Sequence, residues 1–339
     1  MDESRLGFNC ESCGADISFP GDQKGTVQEC PTCFDFVDVP EANARGTDEI
    51  PQSIDDDAKA ELYVRSADQV LILDMDCGLP HPRWSDFHQS IDDHIATSQF
   101  DEVYLEAARL WLNEFARLLP EGYQVSESDE FYLLSHSAKT DAQLTLEFCE
   151  RSRRTILDFL SGVAADDGFG KHIVLAFTDA QYYYSYVSVF CPDGESGGSA
   201  GMFLSDGYGH TACIAGWALH RTIAHEMTHC LLRHLPLPLW LNEGVTQIAE
   251  DKLMDDSWFQ PEAKDANRIR TYFSENSLDA FWSGAAFSAS DEGQELSYML
   301  SRIIVMQLFT DTSENFWHFV RSADWSDAGR GAYEAEIGG

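Results

Sequence analysis

Between Leu219 and Gly244 the chain reads LHRTIAHEMTHCLLRHLPLPLWLNEG, and its two prolines restrict what can form there. Pro236 and Pro238 lack the amide hydrogen that a helix interior needs, so a helix running up to them must stop and a second must start at LWLNEG. On the first helix His225 and His229 are four residues apart and aim two imidazoles at one point. Only 13 residues separate His229 from Glu243, enough for a turn and a short return. The second helix therefore comes back antiparallel and carries the Glu243 carboxylate to that point. Two imidazoles and a carboxylate make a donor set with an open position for water, and Glu226 faces it from the side, placed to take the water's proton.

An HExxH pentapeptide arises by chance in on the order of one chain in a hundred of this size, so the third donor decides. The HExxHxxGxxH arrangement would need Gly at Leu232 and His at Leu235, and His234 is one position off, which excludes that class. HEMTH followed by WLNEGVTQIAE resembles the gluzincins, zinc peptidases of the thermolysin and neutral aminopeptidase kind, whose third ligand is a Glu on a following helix. The better likeness is to compact bacterial peptidase MA-like domains, where a short loop joins HExxH to WLxEG and a later helix carries Y-x-x-S, as Tyr298 to Ser301 does here.

The resemblance covers about residues 125 to 320. It implies an α+β, thermolysin-like zincin domain with His225, His229 and Glu243 on zinc and Glu226 as general base, then acid. It also implies that Glu250 orients an imidazole from behind, and that Tyr298 donates to the oxygen on which charge develops, with His210 and Tyr208 as substitutes. The strand GMFL (201–204) would be the edge that pairs with an extended substrate. Two departures stand out. The spacing between the helices is shorter than in thermolysin or the aminopeptidases, and GMFLS lacks the acid with which aminopeptidases hold a substrate amine, which argues against exopeptidase action.

Residues 8 to 40 contain two C-x2-C knuckles 16 residues apart, Cys10 with Cys13 and Cys30 with Cys33, the spacing of a four-thiolate zinc site. The stretch resembles the zinc ribbons that open many bacterial proteins, although Glu11 stands where Pro is common. Residues 1–40 are therefore expected to be a ribbon holding one structural zinc, in addition to a catalytic one. With eight acids against Arg5 and Lys24, such a ribbon suits a protein partner or a structural role better than nucleic acid. Residues 41–58 are polar, acidic and aperiodic, as in a linker, and 59–339 form the main domain.

The balance of 22 basic against 58 acidic residues leaves a formal charge of −36, which repels phosphate backbones and anionic lipid alike. A peptide or protein substrate is expected, with no nucleic acid and no membrane. A basic peptide fits best by charge, which would fail if cleavage were indifferent to substrate charge and ionic strength. No segment reaches the roughly 18 apolar residues of a membrane helix, and MDESRLGFNC has no basic stretch leading into an apolar run. Nine cysteines, five of them scattered, suit a reducing cytoplasm better than a disulfide framework. The chain stops at EIGG without a closing element, which leaves room for a longer natural product.

Periodicity predicts strands at 70–75, 131–137, 171–179, 201–204 and 211–217, and helices at 101–119, 140–163 (capped by Thr140 or Asp141), from Asn242, at 296–309 and around ENFWHFVRSA. YYYSY (182–186), Cys213, Cys230 and the lone histidines are read as core or surface. The DxD in LILDMDCG resembles the strand end of haloacid dehalogenase-type phosphatases, but no later strand ends in the paired acids that would hold magnesium. The alternative to a peptidase is a non-catalytic module that binds metal and protein and is recruited through the ribbon. The complete set of His225, Glu226, His229 and Glu243 weighs against it.

Overall fold

The computed structural model describes residues 5–9, 16–20, 27–29, 36–38, 59–92, 94–191, 199–254, 262–273, 275–289 and 291–338. Two short antiparallel pairs come first, β1 (Arg5–Asn9) with β2 (Asp16–Pro20) and β3 (Val27–Glu29) with β4 (Phe36–Asp38). Cys10, Cys13, Cys30 and Cys33, in the segments joining each pair, lie outside the described residues, as does the expected linker.

An antiparallel meander follows: β5 (Lys59–Val64), β6 (Gln69–Asp76) and β7 (Leu79–Pro82). The Asp74 of the DxD sits on β6 and takes both arms of the Arg83 guanidinium, at 2.6 and 2.9 Å. Helices α1 (Trp84–Asp92) and α2 (Phe100–Leu118) lead into the main sheet. Its strands are β8 (Gln124–Glu127), β9 (Phe131–Ser135), β10 (His172–Phe177), β11 (Gly201–Leu204) and β12 (His210–Ile214), in the order β11-β12-β10-β9-β8. The three central strands are parallel and both edges antiparallel. Helix α3 (Lys139–Phe159) crosses from β9 to β10, and α4 (Ala180–Val187) follows β10.

The central strands read as unbroken apolar runs because both their faces are covered. Side-chain alternation sorts β9 accordingly: Phe131 and Leu133 join one core with α3 and the later helices, and Tyr132 and Leu134 the other, with α2, α4 and the meander. Tyr183 and Tyr186 of YYYSY are fully buried in the second core.

Helix α5 (Leu219–Leu232) leaves β12 and packs against β11, β12 and α3. Helix α6 (Leu239–Met254) returns beside it. It starts at Leu239 rather than Asn242, because the Pro238 carbonyl accepts from both Leu241 and Asn242 amides at 3.0 Å and so begins the ladder one turn earlier. Helix α3 likewise starts at Lys139 with Ala138 as its N-cap and no side-chain cap. The remaining helices are α7 (Ala263–Tyr272), α8 (Glu275–Trp282), α9 (Gly293–Asp311), α10 (Ser313–Ser322) and α11 (Arg330–Glu336). The main domain is mixed α+β, and among the described residues no helix is long and apolar enough to cross a membrane.

Candidate metal centre

Gly244 explains how α6 can present Glu243. A Cβ there would lie 2.3 Å from a Val305 methyl and 2.8 Å from the Ser301 carbonyl, so only glycine lets α6 press this closely against α9. That contact holds α6 on the side away from α5, and the preceding residue faces α5. Gly201 plays the same part for the edge strand, since a Cβ on it would sit 2.2 Å from a Thr222 methyl. Strand β11 thus lies directly over the face of α5 that carries Glu226.

At the point where these elements meet, His225 Nε2 and His229 Nε2 are 3.2 Å apart, and they lie 3.3 and 3.5 Å from the two oxygens of Glu243. A four-coordinate divalent metal with bonds of about 2.0–2.1 Å separates its ligands by about 3.4 Å, so the three donors fit one such ion. Their protonation agrees. Glu250, which can only accept, receives the His225 Nδ1 proton at 3.0 Å, and the Asn242 side-chain oxygen receives that of His229 at 2.9 Å. In the neutral rings each Nε2 then carries a lone pair. Two lone pairs and a carboxylate converging would repel unless a cation, a proton or a metal ion, lies between them, and Glu243 Oε2 is buried 3.3 Å from His225 Nε2.

The electrostatics point the same way. Burial disfavours charge on Glu243, but His229 and His225 outweigh it and hold the carboxyl well below its usual range. Burial also opposes protonation of His225, yet hydrogen bonds to Glu243 and Glu250 raise its pKa well above 6.5; His229 is raised by the Glu243 charge. Carboxylates that favour a proton on the rings at this depth would favour a divalent cation between them.

Glu226 is buried beside the triad, with Oε2 accepting from the Phe203 amide of β11 at 2.8 Å. This outward-facing amide of an edge strand would otherwise lack a partner. The cleft in front has a volume of about 430 Å3 and is lined by Gly201, Thr222, His225, Glu226, Glu250 and Tyr298, among others. Tyr298 sits close enough to Glu243 and Glu226 that their charges, after burial, push its hydroxyl pKa upward, so it stays a proton donor. His210 and Tyr208 are elsewhere: His210 Nε2 bonds the Tyr186 hydroxyl at 2.7 Å, and the Tyr208 hydroxyl donates to the Lys171 carbonyl. Neither lines the cleft.

The structure therefore brings together His225, His229, Glu243, Glu226, Glu250 and Tyr298. It adds Asn242, Thr246 (3.4 Å from His229 Nδ1), the Phe203 amide, and Arg221, which is ion-paired to Glu250. Arg221 stands four residues before His225 and so on its face of α5, and Asn242 directly precedes Glu243; both positions were open to inspection in the sequence. A backbone amide from another element leaves no such trace. Compared with models of known protein families and with curated proteins, the chain matches none.

Proposed function

We propose that this protein is a zinc metallopeptidase of gluzincin type, with a thermolysin-like zincin domain following a four-cysteine zinc ribbon. The observation that carries the reading is the convergence of His225 Nε2, His229 Nε2 and Glu243 within 3.2–3.5 Å, both imidazoles being oriented by an acceptor at Nδ1. When bound, zinc supplies Lewis acidity that lowers the pKa of water and polarises a carbonyl.

The chain's own residues do the rest. Glu226 takes the proton of the attacking water and passes it to the leaving nitrogen as the C–N bond breaks, so that water is divided between the new carboxyl and the new amine. Its bond to the Phe203 amide keeps the carboxylate turned toward the cleft. Glu250 fixes the tautomer of His225, and against burial its bond to His225, with Arg221 adding to it, keeps Glu250 ionised. Tyr298 offers its hydroxyl to the tetrahedral oxygen, and β11, whose outward edge borders the cleft, suits an extended peptide laid antiparallel to it. Cys77, Cys149, Cys213 and Cys230 are free thiols within the main domain, which agrees with a reducing cytoplasm.

The test is zinc content by elemental mass spectrometry with cleavage of denatured casein as the activity. Wild type should hold two zincs, His225→Ala one, and Glu226→Gln two with cleavage abolished. One zinc in wild type and in His225→Ala, unchanged by added zinc or cobalt, would overturn the metal centre. Two zincs without any cleavage would favour the alternative, a module that binds metal and protein and is recruited through its ribbon.

A further inference from the structure

A second cavity, of about 590 Å3, opens around the start of β10 and the end of α5 and shares no lining residue with the metal cleft. Two glycine turns border it, DDGFG at 166–170 and SDGYG at 205–209. The glycines make room for one guanidinium. A Cβ on Gly168, whose φ is +143°, would lie 2.9 Å from Arg233 Nη2, and one on Gly209 would lie 3.3 Å from Nη1. Arg233 is the C-cap of α5 and forms no ion pair with a carboxylate among the described residues; its polar partner is the Cys230 thiol at 3.1 Å.

His172 stands on the other side of that thiol, with Nδ1 3.7 Å from it and Nε2 2.9 Å from Asp166, to which Arg153 is also ion-paired. Burial opposes charge on His172, but the bond to Asp166 prevails and raises its pKa to about 9, so the ring is charged at neutral pH. Arg153, Lys171, His172 and Arg233 line the cavity against Asp101, Glu130, Asp166 and Asp167, a balanced lining in a chain of net charge −36. Lys171 is ion-paired to Glu127 and donates to the Ser128 carbonyl, and the four acids of the lining disfavour a polyanion. The rings of Tyr104 and Phe169, stacked at 5.8 Å, add an apolar floor.

We infer that this cavity is a binding site, separate from the metal centre, for a small ligand bearing a single oxyanion group, carboxylate or phosphate, held by the Arg233 guanidinium with His172 beside it. A planar guanidinium between two glycine turns can give two parallel hydrogen bonds to such a group. The inference does not depend on zinc or peptidase activity.

Isothermal titration with inorganic phosphate and with acetate tests it, using the full chain, Arg233→Gln, and Arg221→Gln as a control in the metal cleft. Wild type should bind at least one of the two, and the tighter identifies the group. Arg233→Gln should weaken that binding roughly tenfold or more, the effect of losing a charge-assisted pair, whereas Arg221→Gln should leave it unchanged. Arg233 is exposed, so an unaltered melting temperature is expected and certifies the fold. No binding of either anion, equal binding by Arg233→Gln, or loss in Arg221→Gln would each overturn the inference.

Discussion

Two pairs of histidines in this chain, one half-buried and one buried, meet opposite fates. His225 and His229 sit among Glu243, Glu250 and Glu226, and their pKa values rise. His81 and His210 are buried between the meander and the main sheet, where His81 stacks on Tyr186 at 4.7 Å and neither of its ring nitrogens has a hydrogen-bond partner. Burial depresses both to about 4, each without a carboxylate close enough to reverse it. Asp74 raises His81 only weakly, and the Tyr208 carbonyl does the same for His210. Desolvation acts on all four rings, so the neighbouring carboxylates decide the sign. One pair is built to face positive charge, the other to stay neutral as packing.

The largest expected effect breaks the chemistry of the first pair's surroundings. Glu226→Gln keeps the shape and the metal ligands but cannot accept a proton, so casein cleavage should fall by about 10²–10⁴-fold or more with zinc content unchanged. Wild-type turnover in that variant would remove Glu226 from its role.

The second pair should show itself in acid. The folded pKa values of His81 and His210 lie below the unfolded value of about 6.5, so the stability they permit is intact above that pH and is lost as pH falls from about 6.5 to about 4. The loss is on the order of 3 kcal/mol per histidine at its fullest. His81→Phe keeps the stack on Tyr186 and removes one titrating ring, so its melting temperature should drop less than that of wild type between pH 7 and pH 4.5. Equal drops would mean that His81 is not held neutral.

A smaller effect is expected behind the metal centre. Glu250→Gln replaces an acceptor of full charge with an amide that can still accept the His225 Nδ1 proton, and zinc affinity measured by competition with a chelator should fall by about 10–100-fold. Unchanged affinity would leave Glu250 as the counterion of Arg221 alone. The smallest effect belongs to the surface: Arg268→Ala removes ion pairs to Glu292 and Glu295 from a solvated face, and the denaturant midpoint should be nearly unchanged. A clear drop would mean that α7 is clamped to α9 by charge.

What the sequence alone determined was local. The helical period put His225 and His229 on one face, Pro236 and Pro238 forced the break, and 13 residues limited where Glu243 could return. Apolar runs located β6, β9, β10, β11 and β12; those of β9, β10 and β12 are nearly unbroken because both faces of these central strands are covered. What only the tertiary structure decided depends on groups far apart in the chain. The Phe203 amide meets Glu226 because Gly201 lets an edge strand approach α5, Glu243 points inward because Gly244 is pressed against Val305, and His210 is spent on Tyr186 rather than on the cleft. The cavity around Arg233 draws its walls from α1, α2, α3, the end of α5, three loops and the start of β10. Periodicity is a property of neighbours a few residues apart, whereas close approach, hydrogen-bond partners and burial follow from the order in which strands pair and helices cover them, which no local pattern encodes.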